Sequence, residues 1–134
     1  MKKLLLTTVF ISVLSMTSWA QKVKTYDVQS PDGQTSVKVT VGEDIRYDVT
    51  SHGELIMKGN DIALTLRDRT LGHKPTVKSS KKQEVRETVR PVFKMKFAEA
   101  DNSYNLLTLT FKEGFKVLWR VYDDGVAYRI ETSL

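Results

Sequence analysis

From Thr35 onward the chain alternates between apolar and polar positions. Residues 35–41 set Val37, Val39 and Val41 against Ser36, Lys38 and Thr40, and residues 45–49 repeat the pattern with Ile45, Tyr47 and Val49. The same alternation recurs in residues 62–66, in residues 93–97 (Phe93, Met95 and Phe97), and in Leu107, Leu109 and Phe111. It returns in Phe115, Val117, Trp119 and Val121. Side chains of an extended chain leave opposite faces in turn, so each run predicts a strand with one dry face. No stretch carries the i, i+3, i+4, i+7 spacing of an amphipathic helix.

Turn chemistry punctuates these runs. Ser30-Pro31-Asp32-Gly33 joins a residue with a preset φ to one that tolerates positive φ. Gly42-Glu43-Asp44, His52-Gly53, Glu113-Gly114 and Asp123-Asp124-Gly125 fall where hairpin loops belong. About ten short strands at this spacing predict an all-β fold, an antiparallel β-sandwich. Residues 71–89 break the pattern; they are polar and basic, and read as a loop followed by an exposed or edge strand. Residues 125–132 read as a last strand with Val126, Tyr128 and Ile130 on one face. Nothing after it in the sequence covers that apolar edge, so the sandwich is expected to be incomplete at its C-terminal edge.

The first twenty residues follow a different rule. A basic Met1-Lys2-Lys3 precedes an apolar run, residues 4–14, and then Ser18-Trp19-Ala20. This order is that of a secretory signal peptide cut after Ala20. Its apolar run is about half of the roughly 20 residues a spanning helix needs, so no membrane span is expected after cleavage. Residues 21–134 then form one domain, destined for a secreted or periplasmic location. The formal charge is +5, with both signs interspersed, which gives no nucleic-acid footprint. With no cysteine, neither disulfides nor thiolate metal sites are available.

Candidate chemistry is sparse. Asp123 and Asp124 are adjacent but sit in a turn, where aspartates cap backbone groups. Glu84, Glu87, Glu99 and Glu131 show no pair spacing suited to sugar hydrolysis. His52 and His73 lie in loops outside any metal motif, and no nucleophile elbow or phosphate loop occurs. No catalytic or metal residue is assigned, and no cofactor in this chain. Trp119 keeps register with Phe115, Val117 and Val121 and reads as core. Tyr104 and Tyr122, amphipathic, can reach a sheet rim. Arg120 and Arg129 need acidic partners such as Asp124 or Glu131 if buried.

The C-terminal third resembles the N-terminal domain of glycoside hydrolase family 97. The resemblance is carried by Tyr104-Asn105-Leu106-Leu107 and by Arg120-Val121-Tyr122-Asp123-Asp124-Gly125-Val126-Ala127-Tyr128-Arg129-Ile130-Glu131, supported by Ser30-Pro31-Asp32-Gly33 and Arg90-Pro91-Val92. Leu106 stands where that family commonly has an acidic residue, and Phe93-Lys94 replaces a Trp-Gly pair. The resemblance implies a β-super-sandwich of galactose-mutarotase-like type, followed in the parent protein by a catalytic (β/α)8 barrel. It implies a bacterial α-glucosidase or α-galactosidase, often of gut Bacteroidetes, acting on α-linked oligosaccharides, with calcium a cofactor in some full-length members. The catalytic carboxylates would lie beyond Leu134. Tyr104, Asn105 and Tyr122 become candidates for carbohydrate or interdomain contact. A free-standing carbohydrate-binding module and a purely structural envelope domain are the competing expectations.

Overall fold

The computed structural model describes residues 22–93, 96 and 98–133. The expected signal peptide and its cut after Ala20 lie outside these residues. Ten strands follow in order: β1 (Lys24–Gln29), β2 (Thr35–Val41), β3 (Ile45–Ser51), β4 (Glu54–Ile62), β5 (Leu64–Thr65), β6 (Thr70–Leu71), β7 (Val77–Val89), β8 (Ala100–Phe111), β9 (Phe115–Tyr122) and β10 (Gly125–Thr132). They make one antiparallel sheet in the order β1-β2-β3-β4, a second in the order β10-β9-β8-β7, and a small β5-β6 hairpin.

The alternation along each strand assembles the core. Val37, Val39 and Val41 of β2, Ile45 and Val49 of β3, and Ile62 at the end of β4 turn inward from one sheet. Leu107, Leu109 and Phe111 of β8 meet them from the other sheet, with Phe115, Val117, Trp119 and Val121 of β9. Phe111 and Phe115 stack across the β8–β9 turn with ring centroids 4.5 Å apart. Trp119 is 0 % exposed, as its register predicts, and its indole Nε1 has no hydrogen-bond acceptor.

The first turn forms as its residues dictate. The Gly33 N–H donates to the Ser30 carbonyl at 2.9 Å, and Gly33 takes a φ of 74°. Asp32 Oδ1 accepts from the Ser30 hydroxyl (2.5 Å) and the Gln34 N–H (2.9 Å). These bonds, the Ser30 hydroxyl first, lower the Asp32 pKa below its ordinary carboxylate value.

Two expected strands differ. The run at residues 62–66 is split: Ile62 ends β4, Ala63 breaks the ladder, and Leu64–Thr65 starts the small hairpin. Gly72, at a φ of +100°, is the cause of the close fit there. A Cβ on it would lie 2.5 Å from the Ile62 carbonyl oxygen and 3.2 Å from the Ala63 Cα. The run at residues 93–97 is not a strand where it is described. Phe93 and Lys96 sit in bends, and Phe93 is 81 % exposed. The flanking strands pair with each other, Val89 opposite Ala100, and an Arg90–Glu99 ion pair closes the end. The described residues between the two strands, 91–93, 96 and 98, have no ladder partner, and Pro91 has no N–H to offer one.

Residues 71–89 do contain an edge strand: β7 forms one border of its sheet, and β10 forms the other. Among the described residues no helix is long and apolar enough to cross a membrane.

Candidate functional site

Two places could carry a function, and both follow from how the sheets are stacked. β1 lies over β8 and β2 over β9. Tyr47 of β3 meets Tyr128 of β10 with ring centroids 5.7 Å apart, which sets β3 over β10. The first sheet is thus displaced by one strand: β4 projects past β10, and β7 projects past β1.

The outer face of the second sheet carries the first candidate. Asn105 of β8 pairs with Val121 of β9, so Tyr104 and Tyr122 are side by side on the face turned away from the core. Their rings lie 5.1 Å apart, and the Arg120 guanidinium stands 4.9 Å from the Tyr104 ring centroid. That packing leaves Tyr104 only 7 % exposed although it faces outward. The Tyr122 hydroxyl, then the electrostatics of Tyr104, Tyr122 and Glu87, raise the Arg120 pKa and keep it charged. Asn105 points the other way and ties the two sheets together. Its Nδ2 donates to the Gln29 carbonyl at 2.7 Å, and its Oδ1 accepts from Arg86 at 3.1 Å. The three candidate contact residues therefore divide. Tyr122 is half-buried at the surface, Tyr104 lies beneath Arg120, and Asn105 is a cross-sheet strut.

The second candidate is a cleft of about 770 Å³ at the displaced edge, lined by Tyr47, Ile56, Met57, Val126 and Tyr128, with His52, Asp123 and Asp124 at one end. No single run of sequence signals it, because its lining comes from β3, β4 and β10 and the turns beside them.

Most of the described carboxylates are engaged structurally. Asp123 Oδ1 accepts from the Asp32 backbone N–H at 3.0 Å, the capping role expected of a turn aspartate. Glu84 faces Arg86 at 3.7 Å, Glu99 pairs with Arg90, and Glu87 bonds to Asn102. Glu131 pairs with Arg129, as the sequence allows, while Arg120 uses tyrosines instead of an acid. His73 Nδ1 meets Asp44 Oδ1 at 3.0 Å on the surface, and His52 bonds to the Ser51 hydroxyl next to it. Among the described residues no group of three or more His, Asp or Glu side chains could hold a metal ion. The arrangement can bind or support.

These features define an antiparallel β-sandwich with one displaced, apolar edge. The chain belongs to the glycosyl-hydrolase 97 N-terminal family, whose model matches residues 28–133. It is 35 % identical over 130 residues to a retaining alpha-galactosidase of Bacteroides thetaiotaomicron, covering 96 % of this chain. It spans only 19 % of that relative's length. Its fold is similar to a glycoside hydrolase family 97 enzyme from Pseudoalteromonas sp. solved in complex with panose. There the TM-score is 0.72 at 16 % identity, over 80 % of this chain and 17 % of that one. A beta-arabinopyranosidase structure matches with a TM-score of 0.70 at 18 % identity, over 78 % of this chain and 18 % of its own.

Proposed function

We propose that this chain is the non-catalytic N-terminal domain of an exported α-glycosidase acting on α-linked galactosides or glucosides. In that parent the sandwich packs on a downstream (β/α)8 barrel and helps to wall its substrate cleft, which in such barrels opens at the loop-bearing end. The observation that carries the reading is the family match over residues 28–133, together with a relative about five times longer that is named as an alpha-galactosidase. The structural disposition of the carboxylates supports it: glycoside hydrolysis uses two carboxyl groups about 5–10 Å apart across the scissile bond, and most of those described here serve turns and ion pairs. Export rests on the basic, apolar, small-residue order of residues 1–20, which precedes the matched region. Calcium, where it is used, belongs to the full-length parent in this reading. Contact with the barrel or the sugar is assigned to Tyr122, with Tyr104 and Asn105 holding the sheet behind it.

The buried Trp119 opposes a free-standing sugar-binding module, since the indole has no surface on which a pyranose could stack. The test is an assay of the purified chain with nitrophenyl α-galactoside and nitrophenyl α-glucoside. No turnover above buffer is expected, and clear hydrolysis by the chain alone would defeat the proposal.

A further inference from the structure

Charges of both signs alternate along the sequence, but the fold gathers some of one sign. At the end of the second sheet, where β8 turns into β9, a recess of about 280 Å³ is lined by Lys78, Lys112 and Lys116, together with the hydroxyl-bearing Thr110, Thr132 and Ser133. The backbone places each lysine. Lys116 stands in β9, opposite Thr110 of β8 and Glu131 of β10. The Lys112 N–H donates to the Thr76 carbonyl at 2.9 Å, which pins the turn to the residue before β7. Lys78 is the extra residue of a bulge: Val77 pairs with Phe111 and Ser79 with Thr110, so no residue of β8 opposes it. A bulge re-aims the side chain it carries. Beyond β10, the Ser133 N–H and hydroxyl both donate to the Gly114 carbonyl at 3.1 Å and brace the recess. The two acids nearby are held elsewhere. Glu113, in the turn, accepts the Thr76 N–H with both carboxylate oxygens, at 2.9 and 3.1 Å, and Glu131 pairs with Arg129. Among the described residues none of the three lysines enters an ion pair, whereas Lys82, Arg86 and Arg90 each have an acid partner. Like charges held together repel, and a bound anion relieves that repulsion.

We propose that this recess binds one anionic group of a carboxylated or sulfated polysaccharide. The three ammonium groups hold the anion, and the hydroxyls of Thr110 and Thr132 take hydroxyls of the adjoining sugar. Lys81, further along β7 and opposite Thr108, meets the next anionic group of the polymer. Two observations favour a polysaccharide over a lipid surface. A recess seats a single substituent, where a headgroup layer needs an open face. None of the exposed large apolar side chains lines it, so nothing there enters a bilayer to support the charge. At about 3.3 Å per residue, Lys116 lies about 20 Å along β9 from Tyr122. The site is therefore separate from the contact assigned to Tyr122, and it does not depend on the activity of the parent protein.

The experiment titrates the 134-residue chain with polygalacturonate, dextran sulfate and neutral dextran by calorimetry. At least one charged polymer is expected to bind saturably, and dextran not at all. Binding of polygalacturonate alone assigns a carboxylate to the recess, and binding of dextran sulfate alone a sulfate. Raising salt from about 50 to about 200 mM should weaken binding by at least about tenfold, because association releases the polymer's condensed counterions. The triple variant Lys78→Gln, Lys112→Gln, Lys116→Gln should lose at least about tenfold in affinity, and Lys112→Gln alone about two- to fivefold. A second triple variant, Lys24→Gln, Lys38→Gln, Lys58→Gln, has the same net charge as the first but alters only the other sheet. It should bind within about twofold of the unaltered chain. The single variant keeps the test open if either triple variant melts early. The proposal fails if neither charged polymer binds, or if the second triple variant loses as much as the first. It fails equally if phosphatidylglycerol vesicles bind through the same lysines as tightly as the polymers do.

Discussion

Three single positions carry disproportionate weight. Trp119 fills the middle of the core from β9, so Trp119→Ala is expected to lower stability by about 3–5 kcal/mol in urea titrations. Trp119→Phe should cost clearly less, because the indole N–H it discards has no acceptor. Gly72 is constrained twice, by positive φ and by the Ile62 carbonyl 2.5 Å from where a Cβ would sit. Gly72→Ala should therefore destabilise by about 1–3 kcal/mol in the same titration. Asp32 gives a pH signature. Its pKa is lowered in the folded state, chiefly by the Ser30 hydroxyl and the Gln34 N–H. A depressed carboxylate stabilises the fold above its unfolded pKa, and that contribution disappears as pH falls through the folded value. Asp32→Asn should flatten the acid limb of the stability curve below about pH 4 and leave its shape near neutrality unchanged, as thermal melts across pH would show.

Among elements, the contrast lies between strands that meet a facing strand and strands that project. Leu109 of β8 is fully buried against the opposite sheet, and Leu109→Ala should cost about 2–5 kcal/mol. Ile56 of β4 is chemically similar but exposed, and Ile56→Lys should change stability by no more than about 0.5 kcal/mol in the isolated chain. Denaturant midpoints of the two variants test this directly, and a costly Ile56→Lys would mean that β4 is already covered. Both residues sit in alternating or apolar stretches of sequence, so the sequence does not tell them apart. The displacement of one sheet by one strand does. Tyr104 is buried on an outward face for a reason within its own sheet: the flanking Tyr122 and Arg120 of β9 close over it.

At the scale of the molecule, one border of the sandwich carries charged side chains and the other exposed apolar ones, and the chain spans 19 % of a longer relative. With no cysteine, its stability should not respond to reductant, and melting curves with and without dithiothreitol should superimpose. Its expected silence towards α-galactosides and α-glucosides is a whole-molecule property as well, and follows from the proposal that the paired carboxylates such catalysis uses lie in the downstream barrel.

How much of this was legible beforehand varies by element. β2 and β10 run over the residues their alternation predicts, and β3 and β9 extend only a little beyond, because period-two patterning is a local property of one strand; β8 instead starts at Ala100, well before the Leu107 at which its alternation begins. The edge character of β7 was legible from its lysines, and the burial of Trp119 from its register. Asp123 declared its capping role through its position before Gly125, a role that Asp124 does not share. The split at Ala63 and the loss of a strand at Phe93 were not legible. The first depends on Gly72 packing against a backbone distant in sequence, and the second on β7 and β8 pairing across the segment. The sequence alone determined which residues avoid water and which bend the chain, since these are short-range consequences of side-chain chemistry. Only the tertiary structure decided which strand lies over which. That offset separates a dry surface covered by the opposite sheet, around Leu109, from an exposed apolar one, around Ile56.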